Sequence, residues 1–506
     1  MLAKTLSISL FGLTGRLIEV ETDISSNLPA FVLVGLPDAS VNEAAARVRA
    51  AATNSKLAIP ARRITVNLSP ASVPKQGSSY DLAIAVSVLA AAGHLAPSAV
   101  DNVVYFGELG LDGRIKPVLG VLAAVVAAKQ LGVRKMVLPL ANLEEASMVS
   151  GIELSGYDHL SQLAGALGAS VPVLPAKPIA ATGKTSAEVI GCFSEVIGQD
   201  DAVFGMKLAA VGGHHLMMIG PPGAGKTMLA SRLPGILPEL SESQAIEVGS
   251  IHSLAKQSQF QYSTTPPFQS PHHTASLVAM VGGGSSQPRP GLVSLSHLGV
   301  LFLDEAPEFQ TPALEALRQP LESGQITISR ATGQATFPAR FLLVVAANPC
   351  PCGQATGTGK NCSCSSSTRS RYLGKLSGPL SDRIDLRLQL NAVNAKLITS
   401  GEAKAGVTSK ALKEQVTAAR KASTERLAKT PWQINSQVPG SFLRRELRLG
   451  REVTRNLDAA LDRGLVSMRG YDRCLRLAWS LADLEGRISP NSEDLALATF
   501  YRGVSL

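Results

Sequence analysis

The sequence predicts an α/β protein in three successive parts, and three observations carry that prediction. Residues 1–170 alternate strand-like runs with Ala-rich helical runs, residues 189–392 repeat the alternation with much more apolar strands around a glycine-rich loop, and residues 393–506 turn helical and basic. Strand and helix signals in alternation imply sheets covered by helices. A chain of 506 residues also exceeds one ordinary core and suits about three domains of common size.

In the first part the strand candidates are FVLVGLP, RITVNLSP, NVVYFGEL and KMVLPL, and the helical ones VNEAAARVRAAATNS and DLAIAVSVLAAAG. The stretch VPVLPAKPIAATGKTSAE, with three prolines among small residues, reads as a linker over 171–188. In the second part LMMIG, VLFLDE and FLLVVAAN are apolar from end to end, the pattern of parallel strands buried on both faces. The third part holds SKALKEQVTAARKASTERLAK and RCLRLAWSLADLEG, two amphipathic helical runs.

Composition narrows the setting. With 45% hydrophobic and 17% charged residues the chain is globular. Its start lacks the sustained apolar core of a secretory signal, and its longest apolar run, VLGVLAAVVAA at 118–128, is far short of the roughly 20 residues that span a membrane. A cytoplasmic protein without membrane contact is expected, with reduced cysteines. Lys plus Arg exceed Asp plus Glu by 14 to 13 over 1–180, 15 to 14 over 181–390 and 19 to 12 over 391–506, so most of the net +9 sits in the last part. Such an excess suits a polyanionic partner or simply solvated helical faces.

The stretch MMIGPPGAGKT contains G-x-x-x-x-G-K-T from Gly220 to Thr227, behind an apolar strand and ahead of a helical run. That context makes it a phosphate-binding loop for ATP, formed by Gly220, Pro221, Pro222, Gly223, Ala224, Gly225, Lys226, Thr227 and the following Met228. Lys226 faces the β/γ charge and Thr227 can ligate Mg²⁺. At the end of GVLFLDE, Asp304 suits the same Mg²⁺ and Glu305 the base that orients an attacking water. An acidic helix cap would account for one of these acids but not both. Asn348, ending ARFLLVVAAN, can hold that water, although an Asn after a strand is also an ordinary turn residue.

GPPGAGKT, GVLFLDE, VVAANP and SGPLSDRIDL, in this order, resemble an AAA+ ATPase. The stretches PHHTASLVAMVGGGSSQPRPGLVSLSHLGVLFLDEAPEF and ALRQPLESGQITISRATGQATFPARF narrow the resemblance to the magnesium-chelatase-like ComM/YifB family, over nearly the whole chain. The resemblance implies an AAA+ core with a parallel sheet and a helical lid. It also implies an insertion at about 271–293 and a hairpin at about 322–339 that project toward the pore of a hexameric ring. The implied activity is that of a DNA helicase acting on single-stranded, forked or branched DNA, which promotes branch migration in natural transformation and recombination. By the same resemblance Arg383 matches the arginine finger that reaches a neighbour's γ-phosphate, and Arg476 the second-sensor arginine. Arg473, one turn away, leaves a plain salt bridge open for that second position.

The first part is similar to the Lon-protease-like (S5-type) domain of that family. VPKQGSSYD puts Ser79 at the nucleophile's position, but the lysine base expected five residues after Pro117 is Leu122, and Lys116 lies elsewhere. The dyad is incomplete, so a scaffold or DNA-contacting role is expected in place of proteolysis. Four of the six cysteines, Cys350, Cys352, Cys362 and Cys364, form C-x-C-x₉-C-x-C after Asn348. Four thiolates suit a structural Zn²⁺ that staples the loop between the sensor strand and the helix carrying Arg383, with free thiols as the alternative. Cys192 and Cys474 read as small hydrophobes, and His272 and His273 as polar surface. Two other functions stay open: a protein-remodelling AAA+ motor, and the ATPase subunit of a metal chelatase.

Overall fold

The computed structural model describes residues 2–172, 190–255, 263–284, 288–330, 333–355, 362–376, 380–391 and 406–503. Most of the expected linker at 171–188 therefore lies outside the described residues.

The N-terminal part is a seven-stranded sheet in the order Ala30–Val34, Arg63–Ser69, Thr14–Ser25, Leu2–Phe11, Val103–Tyr105, Lys135–Pro139, Glu153–Tyr157. Thr14–Ser25 runs antiparallel to both its neighbours, and the remaining pairs are parallel. In Arg63–Ser69 the alternation is plain, with Ile64, Val66 and Leu68 buried and their neighbours not. The long opening hairpin, which the sequence reading did not anticipate, hides its alternation. On Leu2–Phe11 the inward positions Thr5, Ser7 and Ser9 are polar, and each spends its hydroxyl on a carbonyl: the buried ones of Ala83 and Tyr105, and that of Pro74. The helix they meet, Asp81–Ala91, is buried along its whole length. Its first residue, Asp81, accepts from Arg47 Nε at 2.6 Å and Nη2 at 2.9 Å, so the buried carboxylate has its cation.

The second sheet has five strands, all parallel, in the order Phe268–Gln269, Val300–Leu303, Leu342–Ala347, Leu216–Ile219, Leu386–Gln389. Val300–Leu303 and Leu342–Ala347 are buried at every residue, which is why they read as unbroken apolar runs. Parallel strands present their carboxyl ends on one edge, so the residues after 219, 303 and 347 converge there. Helix Asp200–Gly212 covers this sheet, and its buried residues join those of Ser409–Arg426 and Met468–Leu484 in a single apolar cluster. The C-terminal helices are thus packed onto the nucleotide sheet. Arg420 secures the seam by donating to Ala210 O at 2.8 Å.

Two small antiparallel pairs extend from this core: Gly282–Gly283 with Arg289–Pro290, and the hairpin Gln325–Arg330 with Gly333–Pro338. They occupy the segments expected as an insertion and a hairpin, and Arg330 Nε joins them by donating to Gly284 O at 3.1 Å. The hairpin also buries Ala335 and Phe337 in a cluster with Phe11 and Leu13 from the tip of the N-terminal hairpin. Gly12, at φ 61°, lets that tip approach: a Cβ there would stand 3.0 Å from the Ala335 Cβ. No helix among the described residues is long and apolar enough to cross a membrane.

Candidate functional site

The loop after Leu216–Ile219 is held at its base by Gly220 N–H donating to Ala347 O at 3.2 Å, which fixes it against the neighbouring strand. Gly223 and Gly225 take φ of 77° and 85°, left-handed values that side chains resist, and Gly225 caps the helix Lys226–Arg232. Lys226 is buried, and its three ammonium protons go to Gly220 O at 2.7 Å, Pro221 O at 2.9 Å and Asn348 Oδ1 at 2.9 Å. Burial lowers its amine below the ordinary lysine range, against the opposing pull of Asp304 and Glu305. The ammonium is thus desolvated and surrounded by acceptors that phosphate oxygens can replace, which is what a P-loop lysine needs.

Thr227 Oγ1 donates to Asp304 Oδ2 at 2.6 Å, so a hydroxyl from the first turn of the helix and a carboxylate from a strand end converge on one point. A hard hydroxyl–carboxylate pair fits Mg²⁺, which binds few protein oxygens and keeps waters and phosphate. The other Asp304 oxygen accepts from Glu305 N at 2.9 Å. Glu305 itself sits at φ 48°, a left-handed conformation costly for a residue with a Cβ. Its carboxylate lies 3.6 Å from His273 Nδ1. His273 in turn packs against the His272 ring at 4.2 Å between centroids. The expectation of polar surface for this pair holds for the exposed His272, while the partly exposed His273 stands beside Glu305. Tyr372, whose hydroxyl burial pushes up to about 12, stands near Glu308, Glu305 and the Asn348 backbone.

Six of the residues singled out in the sequence thus gather at one sheet edge: Gly220, Lys226, Thr227, Asp304, Glu305 and Asn348. The two arginines are engaged with other partners. Arg383 pairs with Glu322, and it lies on the turn Ser381–Arg383, not on the helix after the cysteines as expected. That helix, Ser366–Gly374, ends before the turn. Arg476 donates to Val438 O at 2.8 Å. The salt bridge left open at this position is made by Arg473 instead, which pairs with Asp385 and donates to the Arg383 carbonyl at 2.8 Å. Asp385 is buried, yet Arg473 and His214 hold its carboxyl well below the usual carboxylate range, overcoming the effect of burial. The partnership of Arg473 with Asp385 did not stand out in the sequence, since a pairing across 88 residues leaves no local pattern.

In the N-terminal part, Ser79 lines a cavity of about 240 Å³ together with Glu108, Pro117 and Arg289. Leu122, at the position of the missing base, is fully buried, and the Lys116 amine pairs with Glu108 at 3.3 Å. The four sulfurs of Cys350, Cys352, Cys362 and Cys364 all lie within 4.8 Å of one another, although residues 356–361 between the pairs lie outside the described residues.

A phosphate loop and an acidic strand end, with a polar sensor on the strand between them in a five-stranded parallel sheet, define a P-loop ATPase of the AAA+ class. Comparison with known proteins narrows this. The family models described as "Magnesium chelatase, subunit ChlI", "Subunit ChlI of Mg-chelatase" and "Magnesium chelatase, subunit ChlI C-terminal" match residues 192–398, 20–142 and 406–502. Among curated relatives, an uncharacterized protein of Mycobacterium tuberculosis is 47% identical over 99% of this chain and 98% of its own. Competence protein ComM of Haemophilus influenzae is 40% identical over 99% and 98%, and the uncharacterized protein YifB of Escherichia coli 40% over 97% and 95%. A shorter match, 36% over 87 residues (17% of this chain and 15% of the other), is to Lon protease 2 of Bacillus subtilis. The chain belongs to the magnesium-chelatase-like ComM/YifB family of AAA+ ATPases.

Proposed function

We propose that this protein is a ring-forming, ATP-driven motor on DNA, a helicase that promotes branch migration in natural transformation and recombination. The observation that carries the reading is the Lys226–Asn348 and Thr227–Asp304–Glu305 constellation, in a chain that aligns end to end with a relative named for competence. Lys226 neutralises the β- and γ-phosphates, Thr227 and Asp304 hold Mg²⁺, and Glu305 takes the proton of the water that Asn348 orients. Arg383 acts on the nucleotide of the adjacent subunit in a hexameric ring, and Arg476 serves as the second-sensor arginine of the lid. The +7 excess of residues 391–506 supports a polyanion as the partner. Four thiolates hold one structural Zn²⁺.

The chelatase reading has one observation in its favour, the family models' names. Against it, Magnesium-chelatase subunit ChlI of Chlamydomonas reinhardtii aligns over only 45% of this chain, at 26% identity. A synthetic four-way or three-stranded DNA junction tests the proposal: ATP-dependent conversion to linear products is expected, abolished by Glu305→Gln. ATP hydrolysis that leaves every junction unchanged, while unfolded protein raises turnover, overturns it in favour of the protein-remodelling motor.

A further inference from the structure

The cysteine knuckle and the phosphate loop touch. Resting on the zinc and nucleotide readings above, we propose that a zinc-class divalent ion on Cys350, Cys352, Cys362 and Cys364 clamps the nucleotide site, holding the phosphate loop, the sensor Asn348 and Tyr372 in one rigid unit.

The sulfur geometry comes first. Zn–S bonds of about 2.3 Å place the corners of a tetrahedron about 3.8 Å apart. Here Cys350 Sγ stands 3.2 Å from Cys352 Sγ and 3.7 Å from Cys362 Sγ, with 3.7 Å between Cys352 and Cys362. Cys364 completes the set within the 4.8 Å limit, and none of the four is in a disulfide. Cys350 is fully buried while Cys352 is exposed, so the site lies at the surface with one corner anchored in the protein. A closed set of four thiolates leaves no coordination position for substrate, so the ion's work is mechanical.

What the ion would hold is set by the chain on either side of it. Two residues before Cys350, Asn348 accepts a hydrogen bond through Oδ1 from Lys226 Nζ at 2.9 Å. One residue after Cys352, Gly353 turns at φ 75°, its N–H donating to Cys350 O at 2.9 Å, and a Cβ on it would stand 2.7 Å from both Cδ and Cγ of Pro222. The knuckle therefore lies directly against the second proline of the phosphate loop. Beyond Cys364, Ser365 caps the helix Ser366–Gly374 by accepting from Thr368 N, and that helix returns Tyr372 to the neighbourhood of Asn348 and Glu305. Three strands of connectivity lead from the four sulfurs to the nucleotide site. Without the ion no bond joins the four sulfurs, and the hydrogen bond from Gly353 N to Cys350 O is left to hold the turn that sets Gly353 on Pro222.

The experiment uses the full chain purified without chelator, with metal content measured by mass spectrometry and affinity by a fluorescent ATP analogue. About one zinc per chain is expected. Cys350→Ser/Cys352→Ser loses the metal and binds the analogue about tenfold more weakly, and added Zn²⁺ restores affinity to chelator-stripped parent but not to the variant. Gly353→Ala keeps all four ligands and its zinc, yet weakens the analogue by about tenfold, because the new methyl meets Pro222 and resists the left-handed turn. This second variant keeps the test open should the cysteine variant fold poorly. A fully active parent without metal overturns the ion. Metal loss and Gly353→Ala that both leave affinity within twofold of the parent overturn the clamp. A Lys226→Ala chain that binds the analogue like the parent would overturn the nucleotide site itself, a different failure.

Discussion

Acid should loosen the nucleotide sheet before it unfolds the rest of the protein, and His215 is the reason. It immediately precedes the phosphate-loop strand and bonds to both neighbouring strands: its ring Nδ1 accepts from Leu343 N at 3.1 Å, and its carbonyl accepts from Asp385 N at 2.9 Å and Leu386 N at 3.0 Å. A ring nitrogen that accepts a hydrogen bond cannot carry a proton, so the folded state holds the neutral imidazole. Burial, with Arg473, His214 and Arg383 nearby, lowers this histidine to about 4 against the attraction of Asp385. An unfolded chain takes up the proton near pH 6.5, so stability is full above that value and falls as the pH drops toward 4. With these two values the loss at pH 4.5 is at most about 2.5 kcal/mol, enough to lower a melting temperature by several degrees. The Asp385 carboxylate, whose ionised form the fold favours, adds its loss only below about pH 4. Thermal melts from pH 7.5 to 4.5 on the parent and His215→Gln measure the difference. The parent's stability should fall more steeply by about that amount, with ATP-analogue affinity falling in parallel. Parallel pH curves for the two proteins would refute the assignment of the neutral, strand-pinning role.

Glu305→Gln should retain nucleotide binding and lose turnover by about 10²–10⁴-fold, whereas Lys226→Ala should lose binding, both read by ATPase assay beside analogue affinity. His273→Ala should lower kcat about tenfold with little change in nucleotide affinity, because it frees a carboxylate that the strained backbone at Glu305 aims, and His273→Asn should recover part of the loss. Arg383→Ala should lower turnover by about 10³-fold or more, yet mixing it with Lys226→Ala subunits should restore some activity if the arginine serves a neighbour's nucleotide.

The site was more legible than its surroundings because phosphate chemistry imposes spacing along the chain. From Gly220 to Thr227 every functional group belongs to one loop, and fully buried parallel strands announce themselves as apolar runs, so Asp304, Glu305 and Asn348 could be placed at strand ends. Contacts set by register across the sheet leave no such trace. His273 meets Glu305 because Phe268–Gln269 pairs in parallel with Val300–Leu303, and nothing in PHHT foretells that pairing. Arg473 and Asp385 are in the same position, joined only when the lid helix packs onto the sheet. The opening hairpin was hidden for another reason, since Thr5, Ser7 and Ser9 replace the apolar stripe with hydroxyls that find carbonyls. The interlocking of Gly12 with Ala335 depends on a turn meeting a strand more than 300 residues away, which no local pattern encodes.

The central claim, an ATPase whose track is DNA, is tested most directly by ATP turnover with single-stranded or forked DNA, with unfolded protein, and with neither, at 50 and 200 mM salt. The account predicts stimulation by DNA alone, with little sequence preference. It also predicts that the apparent DNA affinity falls by roughly 10³–10⁵ between the two salt concentrations, if six to ten phosphates are neutralised. Turnover that rises with unfolded protein and not with DNA, or DNA stimulation indifferent to salt, would contradict it.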